Sequence, residues 1–139
     1  MSFHQGITAK PRPRITPDNK PLWDGFKAHK LLLPFCEECG KPHLPPGPVC
    51  PYCLSDRLAW REASGRGVIS TWVEVHKVWF PAFAQDVPYN VVQVELEEGP
   101  RITASLAGAD GHAVEIGRKV RATFDDIDDE LTLLRFTPD

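Results

Sequence analysis

The stretch CEECGKPHLPPGPVCPYC, residues 36–53, contains all four cysteines of a 139-residue chain. They form two Cys-x-x-Cys pairs with ten residues between them. In a reducing compartment such a pattern is typical of metal ligands rather than of disulfides. We therefore expect Cys36, Cys39, Cys50 and Cys53 to hold one metal ion.

Structural zinc is the metal that the pattern favours. Four thiolates make a closed tetrahedral site, whereas catalytic zinc keeps one position open for water. Redox iron is the alternative, because the turns Cys-x-x-Cys-Gly and Cys-Pro-x-Cys also resemble those of rubredoxin. His43 lies between the pairs, and we expect it on the surface because four cysteines already complete the site.

The segments on either side of the first cysteine pair differ in character. The intervening GKPHLPPGPV has little to bury, so this lobe depends on its metal to fold. Before it we predict a helix of about ten residues, capped by Asp18 or Asn19, with Leu22, Phe26 and the stem of Lys30 on one face. Residues 1–17 are basic and lack periodicity, which predicts a flexible arm.

After SGRG (64–67) the sequence alternates as β-strands do. The first strand is predicted over residues 68–79, with Ile69, Val73 and Val75 on one face and Trp72, Glu74 and His76 on the other. Four more strands are predicted, in NVVQVELE, RITASLAG, IGRKVRATFDD and LTLLRFTP. A total of five strands suits an OB-fold barrel. We expect the glycines of SGRG to form a bulge or a sharp coil in the first strand, and DDIDDE (125–130) to form the exposed loop before the last strand.

The predicted fold is therefore mostly β. It consists of a basic arm (1–17), a helix with a rubredoxin-like zinc ribbon (18–61) and a five-stranded OB-fold domain (62–139).

Charge and composition exclude several classes of protein. Net charge is −3, with six basic and two acidic residues in positions 1–35 and ten basic and seventeen acidic residues after them. An acidic barrel half disfavours nucleic acid, although ribbons and OB-folds bind single strands elsewhere. No apolar run approaches the length of a membrane span and no signal peptide is visible, so a cytoplasmic protein is expected.

The sequence contains no catalytic motif that we can name. The five histidines lie in unlike contexts, and no nucleophile elbow, metalloprotease motif or phosphate-binding glycine loop is present (His4, His29, His43, His76, His112). We predict no catalytic residue. Aromatic residues instead cluster at Trp72, Trp79, Phe80 and Phe83, which favours a contact with a ligand or partner.

The order of these segments is quite specific. The chain resembles the acyl-CoA-associated OB-fold proteins with an N-terminal zinc ribbon, long catalogued as a domain of unknown function. The stretches that carry this resemblance are LWDGFKAHKLLLPFCEECG, PPGPVCPYC, SGRG, PYNVVQVELEEGPR and the closing LRFTP. The resemblance covers about residues 20–137. It implies a small non-catalytic subunit of a thiolase, acyltransferase or aldolase complex, which helps to hold the coenzyme A thioester while the partner does the chemistry.

The resemblance supports the four cysteines as ligands of structural Zn²⁺ but gives no coenzyme A contacts. Our candidates for the phosphates are basic, and our candidates for pantetheine, the acyl group or the partner surface are aromatic. The basic candidates are Arg12, Arg14, Lys27 and Lys30. The aromatic ones are Trp23, Phe26, Trp79, Phe80 and Phe83.

Overall fold

A computed structural model describes residues 10–108 and 114–139. Helix α1 (Lys20–Lys27) is followed by seven strands. The first two, β1 (Leu32–Cys36) and β2 (Leu58–Glu62), pair as an antiparallel sheet. The other five close a barrel in the order β3-β4-β5-β7-β6: β3 (Arg66–Val75), β4 (Tyr89–Leu96), β5 (Arg101–Leu106), β6 (Lys119–Asp126) and β7 (Thr132–Pro138). The mostly-β fold with ribbon and five-stranded barrel is confirmed. Of the histidines, His4 and His112 lie outside the described residues.

Helix α1 is shorter than predicted and ends in a tight reversal. His29 takes a left-handed φ of 59°, and the Lys30 N–H donates to the Gly25 carbonyl at 2.8 Å. This is a Schellman ending, so Lys30 leaves the helical face that Leu22 and Phe26 share. A Cβ on Gly25 would lie 2.9 Å from a β1 side chain, so only glycine lets the strand pass this closely. No helix of the described segments has the length and apolar character to cross a membrane.

The buried face of α1 joins the ribbon to the barrel. Leu22 and Phe26 belong to the same hydrophobic cluster as Leu33 of the ribbon and Ile69 of the barrel. The Phe26 ring lies 6.1 Å, centroid to centroid, from that of Phe124 on β6. The predicted boundary between residues 61 and 62 therefore separates two sheets but passes through a shared core, and it stays a prediction.

The barrel closes where β3 is paired on both sides. Gly67 lies opposite Leu96 of β4 and also opposite Val120 of β6. A Cβ at Gly67 would stand 2.5 Å from the Glu95 carbonyl oxygen and 2.6 Å from the side chain of Val94. Because backbone occupies that space, the close approach of these strands requires glycine here.

The bulge of β3 lies three residues beyond the predicted glycines. The pairing register with β4 shifts between Ile69 and Thr71, and the Ser70 hydroxyl there donates to the Gln93 carbonyl at 3.0 Å. The shift reverses the alternation, so Ile69 is buried whereas Val73 is 58% exposed. Our assignment of these two residues to one face was wrong because a bulge adds one residue to one strand. The strand also ends four residues short of position 79.

We predict that Gly67→Ala destabilises the protein by about 1–3 kcal/mol, since the added methyl group overlaps the backbone of β4. Chemical denaturation measures the free energy of unfolding. Gly47→Ala is the matched control, because a Cβ there meets nothing within 4 Å. We expect that variant to unfold at the wild-type denaturant concentration or slightly above it. Equal losses in the two variants would contradict the closure argument.

Candidate metal centre and adjoining cleft

Both cysteine pairs are built on the same backbone turn. The Gly40 N–H donates to the Cys36 carbonyl and the Leu54 N–H donates to the Cys50 carbonyl, each at 2.8 Å. Gly40 has a φ of 76° and Leu54 a φ of 65°. The residue after each pair must therefore be left-handed, and Leu54 adopts this conformation without the freedom of glycine.

The four sulfurs lie within 4.8 Å of one another. Cys36 and Cys53 approach to 3.5 Å and Cys39 and Cys50 to 3.6 Å. In tetrahedral zinc, Zn–S bonds of about 2.3 Å separate the sulfurs by about 3.8 Å. A disulfide would need about 2.05 Å, and all four cysteines are free. The cluster thus has the size and donor set of a tetrahedral metal site.

The electrostatics of the cluster call for a cation. The Cys39 N–H donates to the Cys36 sulfur at 3.4 Å and lowers the pKa of Cys36 to about 6. The pKa of Cys53 is raised to about 12: the Ser55 N–H lowers it, but the neighbouring Cys36 sulfur and burial outweigh that effect. Without a metal, one thiolate suppresses ionisation of its neighbours, whereas a bound divalent ion allows all four to ionise.

We predicted that His43 lies on the surface, and this was wrong. The side chain is buried, with 3% of its area exposed. Its backbone N–H donates to the Pro34 carbonyl at 3.1 Å, beside an isolated bridge between Phe35 and Pro42. This pairing turns the side chain inward. Neither ring nitrogen has a hydrogen-bond partner among the described residues, and burial lowers the pKa of the imidazole. His43 therefore packs as a neutral ring inside the ribbon, outside the four-sulfur group.

A cleft of about 920 Å³ crosses one side of the barrel. Its apolar wall includes Leu106, Leu131 and Leu133. Asn90 joins the two strands at its edge: its Nδ2 donates to the Leu106 carbonyl at 3.1 Å and its Oδ1 accepts from the Leu106 N–H at 2.6 Å. Sequence reasoning did not select Asn90, and the only signal was a polar residue at the start of a strand. A cavity of this volume suits a drug-sized or cofactor-sized ligand.

The arm lies against the cleft and is held at two points. Lys10 Nζ is 2.7 Å from an Asp86 carboxylate oxygen, and Arg12 forms an ion pair with Asp128. The hydrogen bond from Arg12 is the first cause of a lowered pKa at Asp128. Lys10 also stands over the Phe83 ring, 5.4 Å from its centroid. The described part of the arm is thus ordered against the barrel, and residues 1–9 lie outside the described range.

The segment DDIDDE is the exposed loop that we predicted only from residue 127 onward. Its first two residues belong to β6, and Asp125 accepts from Arg135 Nε at 2.9 Å. Asp126 accepts from the Thr132 hydroxyl at 2.7 Å and lies 3.0 Å from the His29 ring nitrogen. These partners are distant in sequence, so the run of acidic residues alone could not reveal them.

The predicted binding residues are dispersed over the molecule. Arg12 and Phe83 line the cleft and Lys30 lines a second, smaller cavity. Trp79 is 63% exposed and Phe80 51% exposed, both on the loop between β3 and β4. Arg14 and Lys27 are exposed as well.

Of the aromatic candidates, Phe26 belongs to the core and Trp23 packs against it. Phe26 is 3% exposed, and Trp23 packs edge-on against it with ring centroids 5.3 Å apart. A buried ring cannot face a ligand, so the choice of Phe26 was wrong. The same periodicity that placed it on the face of Leu22 also directs it onto the barrel.

Two protein-family models match this chain, one over the ribbon and one over most of the barrel. The family model described as "ChsH2, rubredoxin-like zinc ribbon domain" matches residues 23–59. The model "ChsH2, C-terminal OB-fold domain" matches residues 60–125. A chain of the solved "Ltp2-ChsH2(DUF35) aldolase" superposes with a TM-score of 0.83 at 37% identity, covering 91% of this chain and 98% of that one. A DUF35 protein of Sulfolobus solfataricus, with a TM-score of 0.62 and 15% identity, shares the fold.

Curated relatives differ in length. A "Probable enoyl-CoA hydratase alpha subunit" of Thermomonospora curvata is 37% identical over 93% of this chain, and a "3-oxo-4,17-pregnadiene-20-carboxyl-CoA hydratase alpha subunit" of Mycobacterium tuberculosis is 37% identical over 92% of it. This chain spans about 40% of the length of each. A "DUF35 domain-containing scaffold protein" of Methanocaldococcus jannaschii is 33% identical over 73% of both chains. With the paired ribbon and barrel in the same order, this chain belongs to the DUF35 family.

Proposed function

We propose that the chain is a non-catalytic accessory subunit that binds an acyl-CoA and supports a thiolase-superfamily partner, such as a thiolase, an acyltransferase or a retro-aldolase. The observation that carries the proposal is an exposed aromatic surface, Trp79 and Phe80, next to the cleft. Relatives named as a hydratase alpha subunit and as part of an aldolase support membership of a hetero-oligomer in acyl-CoA metabolism. We place this complex in the cytoplasm.

The partner would dock on three consecutive apolar residues. Val78, Trp79 and Phe80 are 43%, 63% and 51% exposed. Lys77 Nζ stands 4.0 Å above the centroid of the Trp79 ring, which restrains the indole. Large rigid aromatic side chains are typical anchors at the centres of protein interfaces. An exposed run of this kind favours burial by another chain.

The docking residues connect to the cleft through stacked rings. The centroids of Phe80 and Phe83 are 6.2 Å apart, and those of Phe83 and Tyr89 are 6.1 Å apart. Phe83 and Tyr89 line the cleft. A partner seated on Trp79 would therefore lie beside a ligand in the cleft, which suits a subunit that presents a thioester to another chain's active site.

Within the cleft, the apolar wall suits the acyl chain of the thioester. Leu106, Leu131 and Leu133 supply this wall. At its rim, Lys10 and Arg12 are paired with Asp86 and Asp128, so they would meet the phosphates of a ligand only after leaving these carboxylates. Arg14, exposed on the same arm, would offer a further positive charge to the phosphates.

The zinc would be structural. Bound by Cys36, Cys39, Cys50 and Cys53, it would fix both turns of the ribbon, and its four sulfurs would leave no position for a substrate. In this role the metal supports assembly rather than turnover.

Replacing a ligand tests the metal. Cys36→Ser or Cys53→Ser should lose zinc together with solubility and complex assembly, because the ribbon has no alternative core. Metal analysis and size-exclusion chromatography measure both. Glu38→Ser is the matched control, since it changes the same turn but spares the sulfurs. Near-stoichiometric iron with strong visible absorption would favour electron transfer, and loss of turnover with zinc and assembly intact would contradict a structural role.

Removing the aromatic anchor tests the partner. Trp79→Ala or Phe80→Ala should weaken binding of a co-expressed thiolase-superfamily partner by more than about tenfold, as hot-spot residues do. Co-purification and surface plasmon resonance measure it. Ile116→Ala, which removes an equally exposed apolar side chain from another loop, should leave affinity unchanged. A partner that is fully active alone and never co-purifies would refute the proposal.

Trimming the cleft tests the acyl group. Leu133→Ala removes several carbons of the apolar wall and should weaken a medium-chain acyl-CoA about fivefold to thirtyfold. Titration calorimetry should find little change in the affinity for unacylated coenzyme A, because that ligand has no acyl chain to contact Leu133. The same loss for both ligands would place the acyl chain elsewhere.

A further inference from the structure

A second cavity, of about 290 Å³, lies where the chain passes from the ribbon to the barrel. It is lined by the turn after α1, by Glu62 to Arg66, and by β6. None of its polar groups has a part in the cleft described above. Its position beside the shared core means that the α1 turn, the ribbon and the barrel each contribute a wall.

Two arginines meet at this cavity in an unfavourable arrangement. Arg66 of β3 and Arg121 of β6 are directly opposite in the antiparallel register. Directly opposed residues project from the same face of a sheet with their Cβ atoms about 5 Å apart, and like charges there are destabilising. Over residues 10–108 and 114–139, neither guanidinium has an ion-pair or hydrogen-bond partner.

A third cation joins them. Lys30 lines the same cavity, on backbone set by the bond from its N–H to the Gly25 carbonyl. Its neighbour His29 is already occupied, since it stacks on Phe124 with centroids 5.4 Å apart and contacts Asp126. Glu62 is the acidic residue among the lining residues. Among the lining residues, three cations stand against one carboxylate, and a second carboxylate, that of Glu98, accepts a hydrogen bond from the Ser64 N–H at 2.8 Å. The cavity therefore keeps a local excess of positive charge in a chain whose net charge is −3.

The backbone at the cavity leaves room for an anion. Gly65 lines it with a φ of 80°, and a Cβ there would stand 3.3 Å from the Ala122 Cβ. A side chain at position 65 would therefore fill space beside Arg66. This accounts for a glycine next to the arginine in the SGRG segment, a feature that sequence reasoning noted but assigned to a bulge.

We propose that this cavity binds a phosphate or diphosphate group of a small-molecule ligand, held by Arg66, Arg121 and Lys30. A guanidinium pairs with phosphate oxygens through two parallel hydrogen bonds, and an anion between the two arginines converts their repulsion into attraction. The concave shape and small volume favour a phosphate group over an acidic protein surface. The proposal rests on the proposed function in one respect, because a coenzyme A thioester carries both a diphosphate and a separate phosphate.

Titration of the full-length protein with pyrophosphate, and with adenosine 3′,5′-bisphosphate, tests the site. Both anions should bind saturably, and Arg66→Gln or Arg121→Gln should weaken that binding by about tenfold or more. Arg101→Gln is the matched control, because it removes the same charge from β5 and should bind as the wild type does. Without anion, the two cavity variants should unfold at the wild-type temperature or above it, since they relieve the repulsion.

Each outcome is decisive. Binding of both anions unchanged in Arg66→Gln and Arg121→Gln, or an equal loss in Arg101→Gln, would overturn the proposal. If neither anion binds but Arg66→Gln abolishes partner capture, the arginines contact an acidic protein and the anion site is wrong. Pyrophosphate binding that depends on the arginines, in a protein that binds no acyl-CoA, would support the site and refute the proposed function.

Discussion

Four thiols within 4.8 Å of one another cannot all ionise unless a cation lies among them. In the ribbon beyond β1, only Cys50 and His43 are buried among the described residues. Residues 37–57 are mostly exposed, so few apolar contacts hold them. The metal is therefore the constraint that defines the position of β1. Through Leu33, β1 then contributes to the core that α1 and the barrel share.

This arrangement couples distant parts of the chain. The turn after α1 is tight because Gly25 lets β1 pass, and the same turn sets the backbone of Lys30. A disturbance of the metal centre would reach the ribbon–barrel junction through β1 and α1, without any contact between the sulfurs and a ligand. For a subunit that we propose to be an assembly and binding module, such coupling would link metal content to binding competence.

The features that the sequence predicted well are local ones. Two Cys-x-x-Cys pairs identify the sulfur cluster, and alternating residues identify five strands, because each pattern is complete within a few residues. The bulge at Ser70 was missed because it depends on pairing with β4, and Val73 was misplaced as a result. His43 and Phe26 were misjudged for the same reason, since burial depends on what packs against a residue. Arg66 and Arg121 are 55 positions apart in the chain, and they lie opposite each other only because the barrel closes between β3 and β6.

The arm has a consequence for any ligand of the cleft. Lys10 and Arg12 hold it through ion pairs whose side chains are about half exposed, and such contacts are weakened by salt. The arm is then an intramolecular competitor, and the apparent affinity of a cleft ligand falls by the fraction of time that the arm is in place. Raising the ionic strength releases the arm and opposes the direct screening of a charged ligand. The measured salt dependence would consequently be shallower than the ligand's own charge implies, and its slope would report how firmly Lys10 and Arg12 hold the arm across the cleft.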